Sequence, residues 1–293
     1  MSMQTRRPIG LLFAAVLVAT TSCMLASATP AVVGPPPDFL GAQTVTFTSG
    51  SGSNIHGWYS PGRVGGGAVL LLHGVGTNRT SMLGRARFLH DAGFAVLAPD
   101  FQAHGESPGE HATFGALESL DAAAAFAFLR AKEPHERIGV IGVSMGGAAA
   151  LLGPGPLAVN AFVLESVYPT IRQATSDRLG TWFGPFRRLG RSLAPAVIHL
   201  VSKDIGVTES QLQPIENISK IHAPLLLLAG TADPYTPIAE AESLYARAPS
   251  PKSYWAVPGA GHEDLHAFDR TEYERRVGGF LERELRASSD STR

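Results

Sequence analysis

Residues 137–152 read RIGVIGVSMGGAAALL, and the way this stretch divides decides the fold of the 293-residue chain. Its first half is short, apolar and rich in Ile and Val, as a strand buried on both faces is. Its last part, GGAAALL, is made largely of helix formers. Between them stands Gly142-Val143-Ser144-Met145-Gly146, the pattern G-x-S-x-G. A sharp strand-to-helix turn lifts its apical serine above the sheet edge, and the flanking positions need glycine because a β-carbon there would collide with neighbouring backbone. Ser144 would then present its hydroxyl at a helix N-terminus, where developing negative charge is favoured. Such a pentad also arises by chance in a chain with 32 glycines, so the strand and helix patterns on either side carry the reading.

The same texture extends in both directions. Short apolar runs recur at GAVLLLH (67–73), AVLAPD (95–100), NAFVLES (160–166), PLLLLAG (224–230) and SYWAVPG (253–259), separated by turns and helical stretches such as DAAAAFAFLRAK (121–132). Alternation of this kind predicts an α/β fold with a mostly parallel sheet and right-handed crossovers. Upstream, Thr44-Val45-Thr46-Phe47-Thr48 alternates polar and apolar residues, and SGSGS turns it toward IHGWYS, which predicts an antiparallel hairpin. EYERRVGGFLERELR near the C-terminus reads as an amphipathic helix despite Gly278 and Gly279.

From Val167 to Ala223 no strand-like run occurs, and so long a structureless loop is foreign to a compact domain. This interval is expected to be a helical insertion over the C-terminal edge of the sheet. Its middle, Arg178 to Lys203, holds Trp182, Phe183 and Phe186 beside Arg187, Arg188 and Arg191, with no acidic residue. Two readings fit: an apolar face packed on the core with solvated arginines opposite, or a lid that meets acyl chains or an anionic membrane surface.

A serine hydroxyl is too weakly acidic to attack an ester unaided, so a base must take its proton and a carboxylate must orient that base. Of the ten histidines, His262 follows the last predicted strand in the glycine-flanked loop PGAGHEDL and so reaches the sheet edge that carries Ser144. His73, in LLLHGVG, reads as shaping the turn after its strand; His104 and His111 read as surface residues. Asp233, three residues past PLLLLAG, is the candidate acid and completes the chain order Ser, Asp, His. Glu165, ending NAFVLES, is the alternative. The oxyanion of acyl transfer needs preorganised N–H donors, which map onto Met145 and Val75.

GHEDLH (261–266) has a competing reading. His262, Glu263 and His266 spell H-E-x-x-H, which on a helix binds zinc and uses its glutamate to activate water. Gly259 and Gly261 immediately before it oppose a helix there. Glu263 and Asp264 beside the base would either be solvated or bind a substrate amine.

Arg6 and Arg7 precede an apolar run from Ile9 to Ala19, too short to span a bilayer, and Ala26-Ser27-Ala28 supplies a small-residue cleavage site. Residues 1–28 are therefore expected to be a signal peptide that directs export to the envelope or beyond. The paired arginines fit a twin-arginine route; processing at Cys23, the sole cysteine, is the alternative. A proline-rich leader (29–43) would follow, then a core at 44–166 and 224–288 interrupted by the insertion at 167–223. The formal net charge of −1 argues against a general nucleic-acid partner.

The set LLLHGVG, APDFQAHGES, GVSMGG, LLLLAGTADPYTP and GAGHEDL, in that order, resembles the α/β-hydrolase superfamily over roughly residues 67–285. It is most similar to the lid-bearing serine hydrolases, the group with monoacylglycerol-lipase-like and serine-aminopeptidase-like members. The resemblance implies an eight-stranded, mostly parallel sheet, a cap after the sixth strand, and a metal-free Ser144, Asp233, His262 triad without cofactor. DFQAHGES departs from the commoner D-x-R-G-x-G-x-S wording at Gln102 and His104, in a loop that is structural in the family. Members with an aspartate nucleophile are disfavoured because Ser144 occupies that position. The activity expected is cleavage of a small-molecule carboxylic ester. A serine aminopeptidase, a thioesterase and a catalytically silent binding protein on the same scaffold are the alternatives.

Overall fold

The computed structural model describes residues 27–286. Nearly all of the expected signal peptide, Cys23 included, lies outside the described residues, as do the last two residues of the expected core.

Eight strands form the central sheet: β1 (Gln43–Thr48), β2 (Asn54–Ser60), β3 (Ala68–Leu72), β4 (Ala95–Pro99), β5 (Ile138–Val143), β6 (Ala161–Glu165), β7 (Leu225–Gly230) and β8 (Lys252–Val257). Their spatial order is β8-β7-β6-β5-β3-β4-β2-β1. β1 and β2 form the expected hairpin, β2 runs antiparallel to β4, and all other neighbours are parallel. Half-buried Val45 and Phe47 alternate with exposed threonines along the edge strand β1, whereas every residue of β3 is buried. Burial on both faces is why β3 reads as an unbroken apolar run.

Helices cover both faces. α1 (Leu83–Ala92) packs on one side with the C-terminal helices; α2 (Ala116–Lys132) and α3 (Met145–Leu151) pack on the other. Each buried Leu or Ile contributes about 1.5–3 kcal/mol by leaving water, so the two apolar layers dominate the stability of the fold. Between β6 and β7 lie α4 (Ile171–Trp182), α5 (Arg187–Ser192), α6 (Ala194–Ile205) and the short α7 (Pro214–Asn217). α8 (Ile238–Arg247) joins β7 to β8, and α9 (Leu265–Phe268), α10 (Arg270–Tyr273) and α11 (Gly279–Leu285) follow. The C-terminal stretch expected to be one helix has a π turn at Glu274–Gly278, next to the two glycines that weaken regular α geometry.

The leader is tied to the core. Thr29–Pro30 pairs with His104–Gly105, the Val33 and Gly34 N–H groups donate to Glu106, and Trp58 Nε1 donates to the Gly34 carbonyl at 3.2 Å.

The sheet order reverses at β3: the chain moves outward to β4 and β2 on one side and to β5 through β8 on the other. The crevice beyond the carboxyl ends of β3 and β5 is the topological switch point where open α/β sheets bind ligands. His73 to Val75 follow β3 there, and Ser144 follows β5.

Candidate active site

Ser144 sits between β5 and α3 with φ 50° and ψ −115°, a strained backbone that a non-glycine residue adopts only when its surroundings impose it. The glycine requirement is visible on both sides. A β-carbon on Gly142 would come within 2.6 Å of Gly147 Cα, and one on Gly146 within 2.3 Å of the Leu72 carbonyl oxygen. The strand and helix are thus pressed together by their glycines, and Ser144 is what the turn leaves at the apex.

His262 stands after β8, in a loop held against the loop after β7. The Ala232 N–H donates to the Ala260 carbonyl at 2.9 Å and the Gly259 N–H to Thr231 Oγ1 at 2.8 Å. Asp233 lies on the β7 loop, and its Oδ2 is 2.7 Å from His262 Nδ1. The remaining acceptor sites of Asp233 are filled as well: Oδ1 accepts the Tyr235 and Thr236 N–H groups at 2.8 and 2.9 Å, and Oδ2 accepts the Thr236 hydroxyl at 2.6 Å. Burial alone would raise its pKa, but the His262 contact and the Thr236 donors hold the carboxyl below the usual value. An ionised Asp233 fixes the tautomer of His262, with Nδ1 as donor and Nε2 facing outward as acceptor. The Tyr235 ring meets His262 edge-on, 5.6 Å between centroids.

Ser144 and His262 line one cavity of about 190 Å³, together with Val75 and Met145. Met145 opens α3, so its N–H has no acceptor within its own helix. Val75 is placed by two histidines. Buried His73 accepts the Phe101 N–H on Nε2 at 3.0 Å and donates from Nδ1 to the Gly74 carbonyl at 2.8 Å. Burial, with neighbouring His104 and Arg79, pushes its pKa down to about 3, which keeps the ring neutral. His104 donates from Nδ1 to the Gln102 carbonyl at 2.8 Å and accepts the Gly76 N–H on Nε2 at 3.2 Å. The expectation that His104 lies on the surface is thus wrong: it is fully buried and anchors the turn carrying Val75. No pattern in DFQAHGES marks this burial, which Gln102 of the same loop shares. His111 is exposed, as expected.

Glu165 does not reach His262's ring nitrogens; it belongs to a buried cluster behind the site. Arg85 pairs with it at 2.6 Å, and the Tyr273 hydroxyl donates to it. Glu165→Gln leaves the Arg85 charge short of a partner and is expected to cost about 3–5 kcal/mol. Urea unfolding of the two proteins measures the loss, and the Ser144 reactivity of the folded fraction should persist. Were Glu165 the orienting acid, the variant would instead be folded and dead.

The zinc reading of GHEDLH fails on geometry. Asp264 caps α9, which starts only at Leu265, so His262 is not one helical turn from His266 on a shared face. His266 is buried, its Nε2 2.9 Å from Glu274 and its ring stacked on Phe88. Asp264 is neither free nor merely solvated, because it also pairs with Arg85 at 2.8 Å. Glu263 accepts the Gly261 N–H.

The rest of the cavity is lined by α4 and α6. Ile171, Ala174, Thr175, Arg178 and Trp182 face it from α4, and Val197, Ile198, Val201 and Ile205 from α6. Of the three aromatic residues singled out in the sequence, only Trp182 lines the cavity. Phe183 packs instead by Gly190, and Phe186 is 70% exposed. Neither could be assigned from the sequence, because helix phase within the insertion decides which ring turns inward. Tyr235, Thr236, Phe114 and Tyr168 also line or frame the site without any sequence signal beyond proximity to a strand end.

Beneath α4, Asp177 is bound by Arg191 at 2.8 Å and its carboxylate acts on that of Glu240 in α8. Burial first, then Asp177 and Asp233, push the Glu240 carboxyl up to about 8. The folded protein therefore keeps a proton that the unfolded chain releases near 4.5. This contribution to stability is complete below about pH 4.5 and is lost as pH rises toward 8. Glu240→Gln should match the wild type at low pH and exceed it at pH 9. Thermal unfolding would show the gain at about 2–4 °C per kcal/mol.

The model of the Alpha/beta hydrolase family matches residues 69–276. An uncharacterised Mycobacterium tuberculosis protein is 32% identical over 77% of this chain and 74% of its own length. An uncharacterised Bacillus subtilis protein, YqkD, is 25% identical over 80% and 77%. Among solved structures, the Pyrococcus furiosus esterase Pf2001 superposes with a TM-score of 0.70 at 27% identity, covering 89% of this chain and 98% of that one. Family and esterase neighbours together support a hydrolase activity. The 208 residues that the family model spans contain the whole Ser144, Asp233 and His262 constellation, and the chain belongs to the Alpha/beta hydrolase family.

Proposed function

We propose that the protein is a serine hydrolase that cleaves carboxylic esters through an acyl-enzyme. One observation carries the reading: His262, held by Asp233 at 2.7 Å, lines the same cavity as a strained Ser144 at the head of a helix. With Nδ1 committed to Asp233, the Nε2 lone pair is the acceptor for the Ser144 proton. Ser144 Oγ attacks the carbonyl carbon as its proton passes to Nε2. The resulting oxyanion is stabilised by the N–H groups of Met145 and Val75. Collapse expels the alkoxide, which takes the proton from His262. A water then gives its proton to His262 and attacks the acyl carbon, and a second collapse releases the acid and restores Ser144.

The apolar walls from α4 and α6 suit an acyl chain. An aminopeptidase would need a carboxylate to hold the substrate ammonium, and the described lining of the cavity contains none. Labelling by a fluorophosphonate, located to Ser144 by mass spectrometry, together with turnover of p-nitrophenyl esters of graded length, tests the proposal. No labelling and no turnover across esters, thioesters and aminoacyl amides would leave a silent scaffold.

Peripheral contact with a lipid surface is a second reading for the insertion. Trp182 and Phe186, 49% and 70% exposed, stand beside exposed Arg187 and Arg188 near the cavity. Such a pairing of aromatic and cationic side chains suits an anionic membrane. Sedimentation with anionic and neutral vesicles tests it.

A further inference from the structure

Arg178 is the one acidic or basic side chain, histidine apart, among the described residues that line the cavity. It projects from the α4 face that carries Ile171, Ala174, Thr175 and Trp182, so a mostly apolar wall contains a single guanidinium. Two other arginines of the insertion are matched, Arg172 with Glu209 at 2.6 Å and Arg191 with Asp177 at 2.8 Å, while Arg187 and Arg188 are exposed to water. Arg178 makes no ion pair among the described residues, and its guanidinium lies over the Tyr235 ring at 4.9 Å from the centroid. Asp233, whose charge acts on Arg178 without forming an ion pair, already has both oxygens engaged by Tyr235, Thr236 and His262. A half-buried guanidinium facing apolar walls is costly unless a partner arrives, and burial already pulls its pKa below the usual value.

We infer that Arg178 is a specificity-determining residue that binds an anionic oxygen group, carboxylate or phosphate, on the substrate whose ester carbonyl lies at Ser144. Planar guanidinium donors pair with such groups through two parallel hydrogen bonds, and the low dielectric of the cavity strengthens them. The inference rests on the ester-hydrolase reading and narrows its substrate to anionic esters with an apolar chain.

Two matched pairs of esters test it. On the acyl side, the mono-p-nitrophenyl ester of glutaric acid is compared with p-nitrophenyl valerate. On the alcohol side, lauroylglycerol phosphate is compared with lauroylglycerol. Wild type should prefer the anionic member of at least one pair, and the pair concerned identifies whether a carboxylate or a phosphate is read. Arg178→Gln should lower that preference, as a ratio of kcat/KM values, by about 30-fold, mostly through KM. Arg178→Lys should restore part of it, and added salt should erode it in wild type. Equal losses on charged and neutral esters in Arg178→Gln would reduce Arg178 to a support for Tyr235 and overturn the inference, as would a wild type with no anionic preference in either pair. Turnover of neutral esters with Ser144 labelled keeps the broader proposal standing in both cases. Failure on all four esters without labelling would overturn both.

Discussion

Ser144→Ala is expected to lower kcat on any accepted ester by about 10⁵- to 10⁶-fold, and His262→Ala by a similar factor. The hydroxyl is the only group of the protein that bonds to the acyl carbon in the proposed mechanism. Without His262 its proton has no acceptor, and at neutral pH a free serine hydroxyl is almost never ionised. The two losses should not add. Removing either partner abolishes one shared step, so the double variant should fall no further than the worse single one. Steady-state turnover measures the effect, with circular dichroism and urea unfolding as controls. Ser144→Ala should be close to wild type in stability, because it removes only Oγ and leaves the β-carbon and the strained φ of 50° as they are. Substantial residual turnover in purified Ser144→Ala, free of contaminating esterase, would remove the nucleophile from the proposal.

Asp233→Asn is expected to lower kcat by about 10⁴-fold while leaving the site's geometry almost unchanged. The contacts of Asp233 explain why so small a change should matter. The amide oxygen of the variant can still accept the Tyr235 and Thr236 N–H groups that now bind Oδ1. Its amide nitrogen must then face Thr236 Oγ1 and His262 Nδ1, where Oδ2 now accepts. A donor at that place turns Nδ1 into the acceptor and moves the proton to Nε2. His262 would then offer a hydrogen to Ser144 when it needs a lone pair. Fluorophosphonate labelling of Ser144 should slow in parallel with ester turnover. Activity near wild type in Asp233→Asn, combined with a folded but inactive Glu165→Gln, would transfer the orienting role to Glu165.

The contrast between these two acids shows what limits a sequence reading. Both stand at strand ends on the same sheet edge, and spacing alone allows either to approach His262. What separates them is lateral. β7 and β8 are neighbours, so the loops bearing Asp233 and His262 are hydrogen-bonded to each other. Glu165 turns toward α1 and α10, where Arg85 and Tyr273 close on it. His104 shows the same limit. A polar residue in a polar loop reads as exposed, and nothing local reveals that Gly76 from another loop needs its Nε2.

Periodicity and glycine placement by themselves determined the sheet, the hairpin, the strand-to-helix turn at Ser144 and the edge where the chemistry would gather. Those are local quantities: whether a run is buried on two faces, and whether a β-carbon can be tolerated, are set by a residue and its immediate neighbours. Tertiary structure alone decided which carboxylate meets His262, which aromatic rings of the insertion turn inward, and that Arg178 faces the cavity without an ion pair among the described residues. Those depend on contacts between segments far apart in the chain, where a rotation of one helix by a single residue exchanges a solvated side chain for one lining the cavity, and no local pattern records that choice.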